Sequence, residues 1–177
     1  NYLLQEKVSQ SLAGRVAMLR LLPFSMKELQ QDGKLPADVN KLLFKGFYRR
    51  LYSSRVKPSD WYPSYIETYM QRDVREIKNI PNLNYFQKFL HLLAGRHGQQ
   101  LNLSSLASEV GVVHNTVASW ISILEASYII FLLKPHFNNF NKRVTKTPKV
   151  YFYDSGLVCS LLGIEKAEQL HTHHIKG

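Results

Sequence analysis

The chain has one cysteine, Cys159, among its 177 residues. No disulfide can form within it, and a reducing compartment fits that composition. No apolar run approaches the ~18 residues that a membrane-crossing helix needs, so no membrane partner is expected. The N-terminus lacks the basic-then-apolar pattern of an export signal, and the expected location is the cytoplasm. There is no GxxxxGK[ST] anywhere, so the glycine-rich loop that cradles nucleotide phosphates is missing. The chain alone is therefore not expected to hydrolyse ATP. Acidic residues are scarce: 13 Asp and Glu stand against 23 Lys and Arg, a formal net charge of +10. That balance favours anionic partners such as nucleic acid, nucleotide phosphates or an acidic protein. An apolar share of 45% excludes a disordered chain.

What is present reads as a series of short helices. Residues 1–14 carry Leu3, Leu4, Val8 and Leu12 on one face and end at Gly14. The apolar run Val16 to Leu22, bounded by Gly and Pro, reads as a strand buried on both faces, with no partner strand in view. Ser25 and Glu28 have capping-box spacing and open a short helix. Asp32 to Pro36 is a polar break and a candidate boundary. Val39, Leu42, Leu43, Phe47 and Leu51 predict one amphipathic helix over 37–54. A further helix is predicted over 63–77, with Tyr65, Ile66, Tyr69, Met70 and Val74 inward. Another is predicted over 82–95, with Leu83, Phe86, Phe89, Leu90 and Leu93 inward.

The most specific pattern is NLSSLASEVGVVHNTVASWISILEASYIIFLL at 102–133. Leu106, Ala107 and Val110 share one face of a short helix, and Gly111 supplies the turn. Val112, Val117, Trp120 and Ile121 continue the spacing on a second helix. This reads as a helix-turn-helix. Ile129 to Leu133 and Lys149 to Tyr153 then read as the two strands of a wing, joined through the turn-rich Asn138 to Asn141. Ser155 to Leu162 is a closing helix with Asp154 as its cap, and Cys159 belongs to its apolar side. Residues 165–177 read as a linker.

Four blocks carry a family resemblance: SQSLAGRVAMLRLLPFS at 9–25, YIETYMQRDVREI at 65–77, FLHLLAGRHGQQLNLSSLASEVGV at 89–112 and KRVTKTPKVYFYDSGLVCSLLGI at 142–164. Together they resemble the C-terminal half of a family of bacterial and archaeal AAA-type ATPases. In that family an ATPase core is followed by a winged helix and then a restriction-endonuclease-like domain. The resemblance implies a mostly α-helical chain in four parts. Residues 1–33 would be a remnant of the α/β ATPase core. Residues 34–80 would be a helical lid-like segment, 81–164 a winged-helix domain with a small β-hairpin, and 165–177 a linker. Gly177 resembles the glycine that opens the nuclease-like domain. A chain opening on Asn1 is then expected to be a piece of a longer protein. It holds no cofactor itself, with ATP and Mg²⁺ bound by the parent. The rest of the ATPase core is a partner in cis or trans, and a homo-oligomer is possible.

The resemblance also nominates residues. Arg15, at a helix end before the last core strand, is an arginine-finger candidate, since a guanidinium there neutralises charge on the transferring phosphoryl group. A solvated helix-end cation is the plainer alternative. Arg72, on a lid helix beside Asp73, is a phosphate-sensor candidate or plain surface charge. The helix-turn-helix is unusual in one respect: no Lys or Arg lies between Arg96 and Lys134. Its second helix offers His114, Asn115, Ser119 and Ser122, of which Asn115 suits adenine and His114 a phosphate or base edge. Phosphate attraction must come from the wing, where Lys134, Lys142, Arg143, Lys146 and Lys149 stand with no acid among them. Those lysines equally suit a solvated loop that keeps an edge strand from pairing. Arg49, Arg50, Arg55 and Lys57 form a second basic patch. His171, His173 and His174 lack metal-ligand spacing and read as a surface tract. The function expected is the lid and winged-helix part of an AAA-type ATPase that contacts DNA or a partner protein. A stand-alone DNA-binding regulator and a protein-interaction module are the alternatives.

Overall fold

The computed structural model describes residues 19–69, 83–136 and 147–173. These residues form eight α-helices and one antiparallel pair of strands, so the chain is mostly helical with a small sheet. The helices are α1 (Met26–Gln31), α2 (Val39–Lys45), α3 (Arg50–Ser53), α4 (Pro58–Tyr69), α5 (Leu83–Ala94), α6 (Leu103–Val110), α7 (His114–Ala126) and α8 (Ser155–Leu161). Strands β1 (Ile130–Leu133) and β2 (Lys149–Phe152) lie between α7 and α8, and a 3-10 turn follows at Ala167–His171.

Local chemistry sets most of the boundaries. The Ser25 hydroxyl accepts from the Glu28 N–H while the Glu28 carboxylate accepts from the Ser25 N–H, so α1 begins with a complete capping box. Asn102 caps α6 by accepting from the Ser105 N–H at 3.0 Å, and Gly111 closes α6 in the left-handed conformation with φ +92. The helix predicted over 37–54 is two helices. Gly46, at φ +69, ends α2, and the chain turns before α3. α4 starts at Pro58 rather than Pro63, because a proline suits the first helical position, where its missing N–H has no partner to lose.

The core forms where the apolar spacing placed it. Phe86, Phe89, Leu90 and Leu93 of α5 meet Leu106 and Val110 of α6, and Val117, Trp120, Ile121 and Leu124 of α7. The Trp120 ring lies 5.2 Å from both Phe86 and Phe89. Ile130, Val150 and Phe152 close the core from the sheet, and Leu157, Val158 and Leu161 from α8. Each fully buried side chain of this size contributes about 1.5–3 kcal/mol. Leu51, Tyr62 and Tyr69 belong to the same cluster, so among the described residues α3 and α4 share one core with α5 to α8.

Two expectations are corrected. Residues 165–173 are not a free linker: Leu170 is buried, and the 3-10 turn packs on α2, where the Asn40 amide lies 3.1 Å from a ring nitrogen of His171. Leu19 to Leu22 belong to no strand, and Leu19 and Leu21 are 95% and 88% exposed. The predicted helix over 1–14, residues 16–18 and the stretch 70–77 lie outside the described residues.

His97 ties the sheet to the loop after α5. Its Nδ1 accepts the Phe152 N–H at 3.2 Å, and burial holds its pKa below the ordinary value. A protonated ring has no lone pair for that bond. The folded chain therefore favours neutral His97, whose contribution is full above about pH 6.5 and is lost as pH falls through the depressed value. Urea denaturation at pH 7.5 and 5.5 should show a larger fall for the wild type than for His97→Gln. Parallel falls would remove His97 from the account.

Candidate nucleic-acid interface

α7 is held by its apolar side, and this decides what it exposes. Val117, Trp120, Ile121 and Leu124 are buried, leaving His114, Asn115 and Ser122 exposed and Ser119 half-buried. Among the described residues, His114 and Asn115 have no side-chain hydrogen-bond partner and remain available. The Ser122 hydroxyl is spent on the Ala118 carbonyl at 3.1 Å. Val113, the residue before α7, is 69% exposed and offers no side-chain cap to the first-turn N–H groups. Trp120 and Ile121, on the apolar spacing of this helix, are core residues at 5% and 4% exposure.

The hairpin has a simple register: Ile130 faces Phe152, Phe131 faces Tyr151, Leu132 faces Val150 and Leu133 faces Lys149. Lys134 follows β1 directly and Lys149 opens β2, so the two exposed cations flank the same end of the hairpin. A third chain segment joins this sheet. Gln100 bridges Lys149 in antiparallel sense, the Leu101 N–H donates to the Pro148 carbonyl at 2.9 Å, and the Gly98 N–H donates to the Val150 carbonyl at 2.7 Å. Lys142, Arg143 and Lys146, like Arg15 and Arg72, lie outside the described residues. Arg49, Arg50, Arg55 and Lys57 are all exposed around α3. His171 is engaged with Asn40 as above.

Sequence reasoning missed the centre that holds this arrangement in place. Asp154 is 1% exposed. Its Oδ1 accepts the Tyr62 hydroxyl at 2.6 Å and the Leu157 N–H at 2.7 Å, and its Oδ2 accepts the Phe47 N–H at 2.6 Å. Burial pushes its pKa above the usual carboxylate range, and these donors oppose the shift. The same burial raises the Tyr62 phenol and pushes the Cys159 thiol up to about 12, so neither is a nucleophile at neutral pH. The expected capping role of Asp154 is present in its bond to Leu157. Its bonds to Phe47 and Tyr62 cross 107 and 92 residues, and no local pattern signals them.

The described residues thus define a helical protein whose α6–α7 pair is followed by an antiparallel hairpin with Lys134 just past β1 and Lys149 opening β2 at the same end. Residues 36–168 match a family model described as Domain of unknown function (DUF8612), and the chain belongs to that family. Two curated relatives are Uncharacterized protein Rv2008c of Mycobacterium tuberculosis and Uncharacterized protein Mb2031c of Mycobacterium bovis. Each is 30% identical over 160 residues, which cover 89% of this chain and 35% of the relative. The chain therefore spans about a third of the length of the relatives it matches. No solved structure matches the chain.

Proposed function

We propose that this chain is the lid and winged-helix part of an AAA-type ATPase, and that its winged helix binds duplex DNA chiefly through the phosphates. The observation that carries the winged-helix reading is the Gln100–Lys149 bridge. It makes the order helix, short strand, helix, helix, hairpin, with the short strand lying on the hairpin's second strand. That is the order of a winged helix. The wing would supply the charge, from Lys134 and Lys149 together with Lys142, Arg143 and Lys146 between them in sequence. His114 and Asn115 would face the groove, with Asn115 suited to adenine. The ATPase assignment rests on the family resemblance, and the greater length of the mycobacterial relatives is compatible with it. ATP, Mg²⁺ and the arginine-finger and phosphate-sensor roles of Arg15 and Arg72 belong to this reading of the parent protein.

The test is a salt titration with a labelled duplex. The wild type should lose affinity steeply as salt rises. Lys134→Gln together with Lys149→Gln should weaken binding to all sequences alike and lower the log–log salt slope by about two. A shallow slope with concentration-dependent self-association would favour a protein-interaction module instead. The lack of Lys and Arg on α7 and the exposed Val113 are the observations on that side. In the full-length parent, Arg15→Ala should abolish ATP turnover, and a parent without GxxxxGK[ST] would end the ATPase reading.

A further inference from the structure

An antiparallel hairpin with one face on the core normally turns polar side chains outward. This one does not. Ile130, Val150 and Phe152 point into the core, while the alternation sends Phe131, Leu133 and Tyr151 to the other face, with Tyr153 just beyond β2. Leu133 is 51% exposed, and the rings are half-buried. Five rings form an unbroken line. His97 meets Tyr151 edge-on at 5.4 Å, Tyr151 lies nearly parallel to Phe131 at 5.4 Å and 14°, Phe131 meets Tyr153 at 5.0 Å, and Tyr153 meets Tyr128 at 6.4 Å.

Cations stand beside the line. The Arg20 guanidinium sits 5.6 Å from the centre of the Tyr128 ring, and Lys134 and Lys149 flank the far end of the hairpin. Neither strand carries an acid. Tyr128 adds an independent sign. It adopts φ +56, a left-handed conformation in the turn after α7 where glycine would be unstrained. A ring is thus kept in this row at a backbone cost. A cross-strand aromatic pair that merely stabilises the hairpin would account for Phe131 and Tyr151. It does not account for a line of five rings with Arg20 over one end and Lys149 two residues from Tyr151 on the same strand.

We propose that this outer face is a stacking platform for the bases of single-stranded nucleic acid, with Arg20, Lys134 and Lys149 meeting its phosphates. Flat apolar rings between cations match a strand whose bases are unpaired and whose backbone is anionic. Lys134 and Lys149 serve the duplex reading as well, but the rings of the outer face belong to this proposal alone, so variants at the rings test it without touching the duplex reading.

The experiment uses the whole chain and fluorescence anisotropy with a labelled oligo(dT) of about twelve nucleotides. Phe131→Leu and Tyr151→Leu keep apolar bulk and remove the ring. Each should weaken oligo(dT) binding at least about fivefold, leave its salt slope unchanged and leave duplex affinity within about twofold. If either variant loses its circular dichroism, wild-type protein is photo-crosslinked to bromodeoxyuridine-substituted oligonucleotide. Crosslinks on Tyr151, Phe131 or Tyr153 support the proposal. Unchanged affinity in a folded variant, crosslinks confined elsewhere, or loss of self-association in the leucine variants would overturn it, the last by making a second copy the occupant.

Discussion

Asp154→Asn should destabilise the chain by at least about 3 kcal/mol, read as a fall in the urea midpoint at unchanged slope. The carboxylate accepts one hydroxyl and two backbone N–H groups within a site of 1% exposure. An amide has one accepting oxygen. Whichever way it sits, its NH₂ faces a backbone N–H, of Phe47 or of Leu157, and strands a buried donor. An unsatisfied buried donor costs about 1–3 kcal/mol, and hydrogen bonds to a charged group are worth about 1.5–3 kcal/mol each. Set against a whole stability of about 5–15 kcal/mol, the loss is a large fraction. Tyr62→Phe should follow in the same direction with a smaller effect, because it removes one donor and leaves both N–H bonds. A fall below about 1 kcal/mol for Asp154→Asn would mean that water reaches the site and satisfies the donors.

Gly46→Ala should be of similar size, and for two separable reasons. Gly46 has φ +69 and ψ −163, a region open to glycine and closed to residues with a Cβ. A Cβ there would also overlap the Tyr62 hydroxyl and stand 2.7 and 2.8 Å from the Asp154 carboxylate oxygens. Overpacking of this kind costs about 1–3 kcal/mol beyond the backbone strain. Gly33→Ala is the control. Gly33 has φ +63, but nothing lies within 4 Å of its missing Cβ, so only the strain remains. Thermal unfolding should rank wild type, Gly33→Ala and Gly46→Ala in falling Tm. Equal losses for the two variants would show that the space around Tyr62 is not closed.

Much of the chain was legible because its helices obey short-range rules. The spacing of Phe86, Phe89, Leu90 and Leu93 marked α5, the Ser25–Glu28 pair marked α1, and Asp154 announced α8. Strands β1 and β2 followed from apolar runs on either side of a polar turn. The break at Gly46 was hidden because Leu42 and Leu51 keep apolar spacing on both sides of it. The docked 3-10 turn was hidden because a single buried residue, Leu170, anchors it. The Gln100 bridge is too short to leave a strand pattern. The candidate site divides the same way. The exposure of His114 and Asn115 could be read from the spacing of α7. The line of rings could not, since it draws on His97 and on two strands far apart in sequence.

The bond between Asp154 and the turn at Phe47 has a mechanical consequence. Asp154 stands two residues past the end of β2, and Phe47, which donates to it, accepts the Phe24 N–H at 2.8 Å. A pull on the hairpin is therefore carried through two hydrogen bonds to the segment ahead of α1. The base of the hairpin is tied to that segment through these bonds. Whatever grips it loads a crank whose other arm is the first described turn of the chain, and displacement at one end must be answered at the other.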